Sequence, residues 1–543
     1  MKQKPPLLIW ITVFLCFSGL SLAWVNTPAY HDAVLTFDKA LQLKHNLYFP
    51  FITKLDPGHP PLVAWLLGSL WWLPIPKLWS MHLLCWAAAS LFFTSIYQVG
   101  KQGWGWPVGL GAAVLSATNP VIFTQAQQLN LDIFLAAFSF LALSAAAEGK
   151  PRLLALACIG GVFSKLNGMF MLGPLLLVSF FGCIFSKKRK EFSYWISAFW
   201  PMLLALFLFV VYHAIKLSVT GHLFDDGSFE GGNQLRLVSD CSDYLRHLYH
   251  SLHQTLVGDN SVNLIGWFQS NLFNYSIVRG NGNLLVFVFL GLTIVVTAIA
   301  MLIPCVRSHI TIAWFNNTEK PSPDNYFWKK RGAVFILTLL WLMLIVQLTF
   351  QSLRLVWTLV RYFIICYPVL YITFFAFWSL YFPKNKTWTL LAILPLLIFF
   401  LIKGHTQNNC FIPKVWEDRI IYPSPDTATN YENSPHLLSH LDATKRAIQY
   451  IINHTPYKVD IKTVWPYTFY VKDPNYGMLP FDANKDPVDS KLKTHAILTF
   501  SHHHFGKSPK EIRNNYPGYD LIKVYKNKFN WVAVFFKKTR TDL

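Results

Sequence analysis

Charge is scarce in this chain: Asp, Glu, Lys and Arg make up only 14% of 543 residues, against 53% apolar and 16% aromatic residues. So little charge cannot clothe the surface of aqueous domains of this total size, which leaves the bilayer as the solvent that fits. Acidic residues are scarcer than basic ones, 27 against 47, for a formal net charge of +20. In a soluble protein that imbalance would point to nucleic acid. Here the basic residues stand in short clusters between apolar runs, which is the pattern of membrane topology, and no nucleic-acid partner is expected.

Cysteine is equally uninformative as a scaffold. Cys16, Cys85, Cys158, Cys183, Cys305 and Cys366 fall in or beside apolar runs and show no CxxC or Cys/His spacing, so neither a disulfide framework nor a zinc site is signalled. Cys241 and Cys410 lie in aqueous segments, where pairing would need an oxidising compartment. Adjacent histidines such as His502, His503 and His504 do not converge on one ion. No metal site and no cofactor are indicated, and the chain has no internal repeat.

What the chain has is long apolar runs. They cover 7–25, 78–98, 106–124, 131–147, 166–185, 194–215, 284–303, 332–350, 362–382 and 388–403, with a shorter run at 153–164. Each approaches the ~20 residues that span a bilayer as a helix. The first run reads as an anchor, being longer than the apolar part of a signal peptide. With the short run counted and the N-terminus inside, Lys2, Lys4, Lys101, Lys150, Arg152, Lys187 to Lys190, Arg307, Lys329 to Arg331, Lys384 and Lys386 all fall in cytoplasmic loops. That agreement with the positive-inside rule supports about eleven crossings and an extracytoplasmic C-terminus.

The expected fold is therefore an all-α polytopic membrane bundle over 1–403, followed by a soluble α/β domain over 404–543. Outer loops are expected at 26–61 and 216–283, with a short one at 351–361. Segment 60–76, bounded by Pro60-Pro61 and by Pro74-Ile75-Pro76, is too short to span and reads as a juxtamembrane or re-entrant helix. In the tail, Ser434 to His454 has the period of an amphipathic helix, while Asp520 to Tyr525 and Trp531 to Lys537 read as paired strands.

Several residues carry chemistry on the expected outer face. After the first span, Val34, Phe37 and Leu41 form an apolar stripe, with Asp32, Thr36 and Lys39 opposite, as in a helix lying at the interface. Asp32 could present a carboxylate to a site or simply cap this helix. Asp56-Pro57-Gly58-His59-Pro60-Pro61 fixes the backbone around His59, whether as a rigid turn or as a functional one. Asp132 opens an apolar run, where a capping role would suffice. Lys165 interrupts two apolar runs, and an ammonium there needs snorkelling, a carboxylate or an anionic ligand. Arg354, Arg361 and Tyr362 stand at the mouth of a further apolar helix, where guanidinium groups suit a lipid head group or a phosphate.

Taken in order, Tyr30-His31-Asp32, Gly58-His59-Pro60-Pro61-Leu62, Asp132, Gly160-Gly161-Val162-Phe163-Ser164-Lys165 and Arg361-Tyr362 resemble the bacterial branch of glycosyltransferase family 39. That family includes relatives of protein O-mannosyltransferases and of the lipid A aminoarabinose transferase. The resemblance spans the membrane region to about residue 403. It implies a GT-C bundle and a hexosyl or pentosyl transferase. Its donor would be a polyprenyl-phosphate-linked sugar, and its acceptor an envelope lipid, glycan or protein on the outer face of a bacterial inner membrane.

By the same resemblance, Asp32 matches the first-loop carboxylate and His59 the basic residue before Pro-Pro-Leu. Relatives often carry Asp-Glu at the first-loop site, whereas Ala33 follows Asp32 here, so Asp38 is the reserve base. Lys165, Arg361, Arg354, His59 and Tyr362 would face the donor phosphate, and Asp132 would orient the site. The alternative class is a secondary transporter or flippase of an anionic or lipid-linked substrate. Transporters show repeated halves and midplane binding groups, which the one-sided charge pattern of this chain does not match.

Overall fold

The computed structural model describes residues 6–29, 32–45, 60–184, 190–220, 333–353, 364–381, 436–454, 459–462, 494–500, 508–526 and 531–537. Its membrane part is helical: α1 (Pro6–Ser21), α2 (Asp32–His45), α3 (Leu62–Leu70), α4 (Lys77–Trp104), α5 (Trp106–Thr118), α6 (Pro120–Ala126), α7 (Leu131–Glu148), α8 (Pro151–Ser164), α9 (Leu172–Ile184), α10 (Phe192–Thr220), α11 (Ala333–Leu353) and α12 (Cys366–Tyr381). Among the described residues, four stretches are long and apolar enough to cross a membrane: Lys77–Trp104, Leu131–Glu148, Leu166–Ile184 and Phe192–Val219. Shorter apolar helices occupy Leu7–Ser21, Trp106–Thr118, Pro151–Ser164, Phe335–Gln347 and Cys366–Ala376. The expected spans at 284–303 and 388–403 lie outside the described residues.

The run at 106–124, expected as one span, is broken. Pro120 disfavours helical backbone at the residue before it, and Asn119 is extended (φ −63°, ψ 122°). Its Oδ1 then accepts the Ile122 N–H at 3.2 Å, starting α6 afresh. At the other side of the bundle, Gly149 closes α7 in the left-handed region (φ 70°, ψ 36°), and its N–H bonds the Ala145 and Ala146 carbonyls. Pro151 in the first turn of α8 starts the return helix. The pair α7–α8 is thus a tight helical hairpin.

Two contacts fix the sense of the bundle. Gln102 Nε2 donates to the Ala147 carbonyl at 3.1 Å, joining the last turns of α4 and α7. Asn119 Nδ2 donates to Tyr371 Oη at 2.9 Å, joining the end of α5 to α12. One end of the bundle therefore holds the start of α4 and α7, the end of α5 and α8, and the first half of α12. The opposite end holds the α7–α8 turn and the end of α4, beside which α11 begins, with Ala333 and Ile336 next to Gly103.

The helix carrying the first-loop residues departs from expectation. Its apolar positions Val34 and Phe37 are buried, but so are Thr36 and Lys39 on the opposite face, so protein covers α2 on both sides. Helix α3 packs along it, with the Phe37 and Trp71 rings 4.8 Å apart. Burying Phe37 alone contributes about 1.5–3 kcal/mol. Nine residues make α3 too short to cross a bilayer, as its prolines imply, and it also touches α4 and α8.

In the tail, α13 (His436–His454) packs on a four-stranded sheet of β1 (Val459–Lys462), β2 (Thr494–Phe500), β3 (Tyr519–Lys526) and β4 (Trp531–Lys537), in the order β1-β2-β4-β3. β1 and β2 are parallel; β4 runs antiparallel to both β2 and β3. Strand alternation sends Val532 and Val534 to the side of Leu441, Ile448 and Ile451 of α13, and Ala533 and Phe535 to the other side with Ile512. Lys445 of α13 reaches the Asn26 carbonyl at 3.5 Å, on the segment that follows α1.

Candidate functional site

The hairpin α7–α8 places two charges together by simple counting. Asp132 stands 17 residues before Gly149 and Lys165 stands 16 after it, so at 1.5 Å per helical residue both lie about 25 Å from the turn. They meet there: Lys165 Nζ is 2.6 Å from Asp132 Oδ1, both side chains about nine-tenths buried. Asp132 therefore does not cap α7. The N-cap position is Asn130, and the Asp132 carboxylate sits in the first helical turn, where the helix dipole favours an anion, and meets the lysine. Breaking such a buried pair by removing one partner costs roughly 3–5 kcal/mol, because the other charge is left uncompensated.

Local backbone brings Lys165 to that point. Helix α8 stops at Ser164, whose hydroxyl turns back to the Gly160 carbonyl at 2.6 Å. Lys165 is extended (φ −153°, ψ 146°), and a 3-10 turn, Leu166–Met171, follows. That turn folds tightly onto α8: a Cβ on Gly161 would overlap Met171 Sδ, and one on Gly168 would overlap the Gly161 carbonyl. Gly161 and Gly168 thus serve the close return of the chain after Lys165, while Gly160 makes room for the Phe138 ring of α7. On the neighbouring side, the Phe163 ring meets Phe209 and Tyr212 edge-on at 6.3 and 5.6 Å. This contact brings the last turns of α10, with buried His213 and Lys216, beside the end of α8.

The same end of the bundle is lined with buried amides. Gln127 accepts the Trp86 indole N–H through Oε1 at 2.8 Å and donates through Nε2 to Ser21 Oγ at 2.9 Å. Gln128 Nε2 donates to the Pro28 carbonyl at 3.4 Å, and Asn130 Nδ2 donates to Gln125 Oε1. His82 Nε2 lies 2.8 Å from the Thr27 carbonyl; a carbonyl only accepts, so the ring donates from Nε2. Buried amides without partners would each be costly, and here they tie α1, α4, α6 and the start of α7 into one polar layer.

Of the residues singled out from sequence, Asp132 and Lys165 are brought together. Asp32 is the first residue of α2, and Asp38 lies six residues further along it, half-buried. His59, Arg354, Arg361 and Tyr362 lie outside the described residues, as do Cys241, Cys410 and His502 to His504. Pro60, which follows His59, and Ile364 and Ile365, just before α12, are buried. Among the described residues no group of three or more His, Cys, Asp or Glu side chains converges as a metal site.

Sequence reasoning missed His82, Asn119, Gln125, Gln127, Gln128, His213 and Lys216. The signal existed: Thr124-Gln125-Ala126-Gln127-Gln128-Leu129-Asn130-Leu131-Asp132 packs five amide or carboxylate side chains between two apolar runs, and polar groups at bilayer depth must find partners.

No family model matches the chain, and no curated protein matches it. Among solved structures it is similar to the crystal structure of ArnT from Cupriavidus metallidurans bound to undecaprenyl phosphate, with 11% identity, 97% of each chain covered and a TM-score of 0.45. A likeness of that size assigns neither reaction nor residues.

Proposed function

We propose that the chain is a membrane glycosyltransferase of the family 39 type, built on a GT-C bundle. It moves a sugar from a polyprenyl phosphate carrier to a hydroxyl of an envelope lipid, glycan or protein on the non-cytoplasmic face. The observation that carries this reading is the Asp132–Lys165 pair, buried at the bundle end that also anchors the segment leading into α2 and Asp32. A cation paired with a carboxylate in a poorly solvated place is the kind of group that can stabilise a phosphate leaving group.

The step is an inverting displacement. Asp32 takes the proton of the acceptor hydroxyl as its oxygen bonds the anomeric carbon. The bond from that carbon to the phosphate oxygen breaks on the opposite side, and its electron pair leaves on the polyprenyl phosphate. General base assistance of this kind contributes about 10²–10⁴ in rate. An ammonium has three donors, so Lys165 can serve Asp132 and a phosphate oxygen together. Arg361, Arg354, His59 and Tyr362 complete the phosphate clamp, Asp132 orients it, and Asp38 stands in reserve as base. Residues 1–403 form the transferase and 404–543 an extracytoplasmic accessory domain.

Two measurements test this. Mass spectrometry of envelope lipids, glycans and proteins from a deletion strain is expected to show one sugar missing from one product class; an unchanged envelope overturns the assignment. Reporter fusions near residues 188 and 330 are expected to read cytoplasm, and fusions near 240 and 450 the outside. A cytoplasmic signal at 450 would invert the site relative to an outward-facing carrier.

A further inference from the structure

Helix α4 presents three ring N–H donors on one face. Trp79, His82 and Trp86 follow the i, i+3, i+7 spacing that aligns side chains along a helix; the first two are spent on the chain leading out of α1 and the third, through Gln127, on the last residue of α1. Trp79 Nε1 donates to Asn26 Oδ1 at 3.0 Å, and His82 Nε2 to the Thr27 carbonyl at 2.8 Å. Trp86 Nε1 donates at 2.8 Å to Gln127 Oε1, whose Nε2 passes the bond on to Ser21 Oγ at 2.9 Å. Gln128, next to Gln127, adds the Pro28 carbonyl. Between Ser21 and Ala29 the chain also closes on itself, Val25 N–H to the Leu22 carbonyl and Thr27 N–H to the Trp24 carbonyl.

The investment is out of proportion to a linker. Val25, Thr27 and Ala29 are buried, and His82, Gln127 and Gln128 are at most 1% exposed. Connecting segments normally meet water with their backbone groups; this one meets buried side chains from α4 and the α6–α7 connection. Five residues after Thr27 the chain enters α2 at Asp32.

We propose that His82 and Trp86, with Gln127, form a strap that fixes where the chain enters α2 at Asp32, and that these are positioning residues for the transfer step; Trp79 only extends the strap at its exposed end. The inference rests on Asp32 being the base, as proposed above. A base acts only within hydrogen-bond reach of its proton, and a displacement of about 1 Å can cost on the order of 10²-fold in rate. The same frame carries Asp132 on α7 through Gln127 and Gln128, so the strap sets the base and the Lys165 side of the site on one scaffold.

The test compares His82→Leu, His82→Gln, Trp86→Phe and Trp79→Phe in the purified full chain, each alone and with Asp32→Asn. Turnover is measured with a polyprenyl-phosphate-linked sugar, and affinity with polyprenyl phosphate. His82→Leu and Trp86→Phe are expected to lower kcat roughly tenfold or more while affinity stays within about twofold. His82→Gln, whose amide can donate where Nε2 did, is expected to recover most of the loss. Trp79→Phe, at the exposed end, is expected to change kcat by about twofold or less.

In the Asp32→Asn background the strap variants are expected to cause no further loss, because the group they position is gone. Wild-type kcat in a folded Trp86→Phe chain, beside an inactive Asp32→Asn, would overturn the strap and leave the base reading intact. Full turnover by Asp32→Asn itself would overturn both. A strap loss that persists undiminished in the Asp32→Asn background would mark a merely structural role and equally overturn the proposal.

Discussion

At the turn between α7 and α8, Lys150 pairs with Glu148 at 2.5 Å with 48% and 17% of the two side chains exposed; at the other end of the same hairpin, Lys165 pairs with Asp132 at 2.6 Å with only 11% and 8% exposed. The geometry is alike and the energetics are not. An exposed pair is solvated whether or not it forms and is worth about 0–1 kcal/mol. A buried pair has lost its water, so each partner depends on the other. Basic residues at the Lys150 end, including Lys101 and Arg152, need no explanation beyond topology. The polar layer at the Lys165 end is more than topology asks for.

The largest effect expected from that contrast comes from removing one buried charge. Lys165→Met should destabilise the chain by roughly 3–5 kcal/mol, read as a fall in thermal stability in micelles, because Asp132 is left without its counter-charge. Adding Asp132→Asn should return much of that stability. Affinity for polyprenyl phosphate should not return in the double variant, because the phosphate cation is still missing. A double variant with both stability and affinity restored would make the pair purely structural and move the clamp elsewhere.

Next in size is Asp32→Asn, which keeps shape and most hydrogen bonding but cannot take a full proton. Turnover should fall by roughly 10² or more with donor affinity unchanged. Asn caps helices as well as Asp does, so a mere cap would lose almost nothing. Near-normal turnover would shift attention to Asp38, six residues along α2.

What the sequence made legible follows the same division. Apolar runs of bilayer length announce helices because nothing else can satisfy a backbone there, and α4, α7, α9 and α10 form where those runs stand. In the tail, the alternation in Trp531 to Lys537 marked a strand and the period of Ser434 to His454 a helix; the strand formed, and the helix is described over His436–His454. Lys165 was visible as a charge in the wrong solvent and Asp132 as a candidate cap, but their pairing was not. It depends on the turn at Gly149, which makes two residues 33 positions apart into neighbours.

The buried state of α2 was illegible for a different reason. A helical stripe such as Val34 and Phe37 identifies one buried face, while burial of Thr36 and Lys39 depends on what packs from outside the helix. Gln127 was overlooked because an amide-rich stretch between apolar runs reads as a loop. Only the partners Trp86 and Ser21, 41 and 106 residues away, reveal it as a bridge.

The smallest effect belongs to the exposed end, and it sharpens the comparison from below. Lys150→Ala removes a charge of the same kind as Lys165 from the same hairpin, at a turn whose backbone is already fixed by Gly149 and Pro151. Glu148 keeps some access to water at the end of its helix, with 17% of its side chain exposed, so stability should change by no more than about 1 kcal/mol and donor affinity not at all. The measurement is the thermal midpoint and polyprenyl phosphate binding of Lys150→Ala beside Lys165→Met at one salt concentration. Raising the salt should erase the small Lys150 effect and leave the Lys165 effect largely in place, since ions screen exposed charges far better than buried ones. Equal losses at both positions would mean that burial does not separate the two ends, and the reading of the Lys165 end as a site would fail with it.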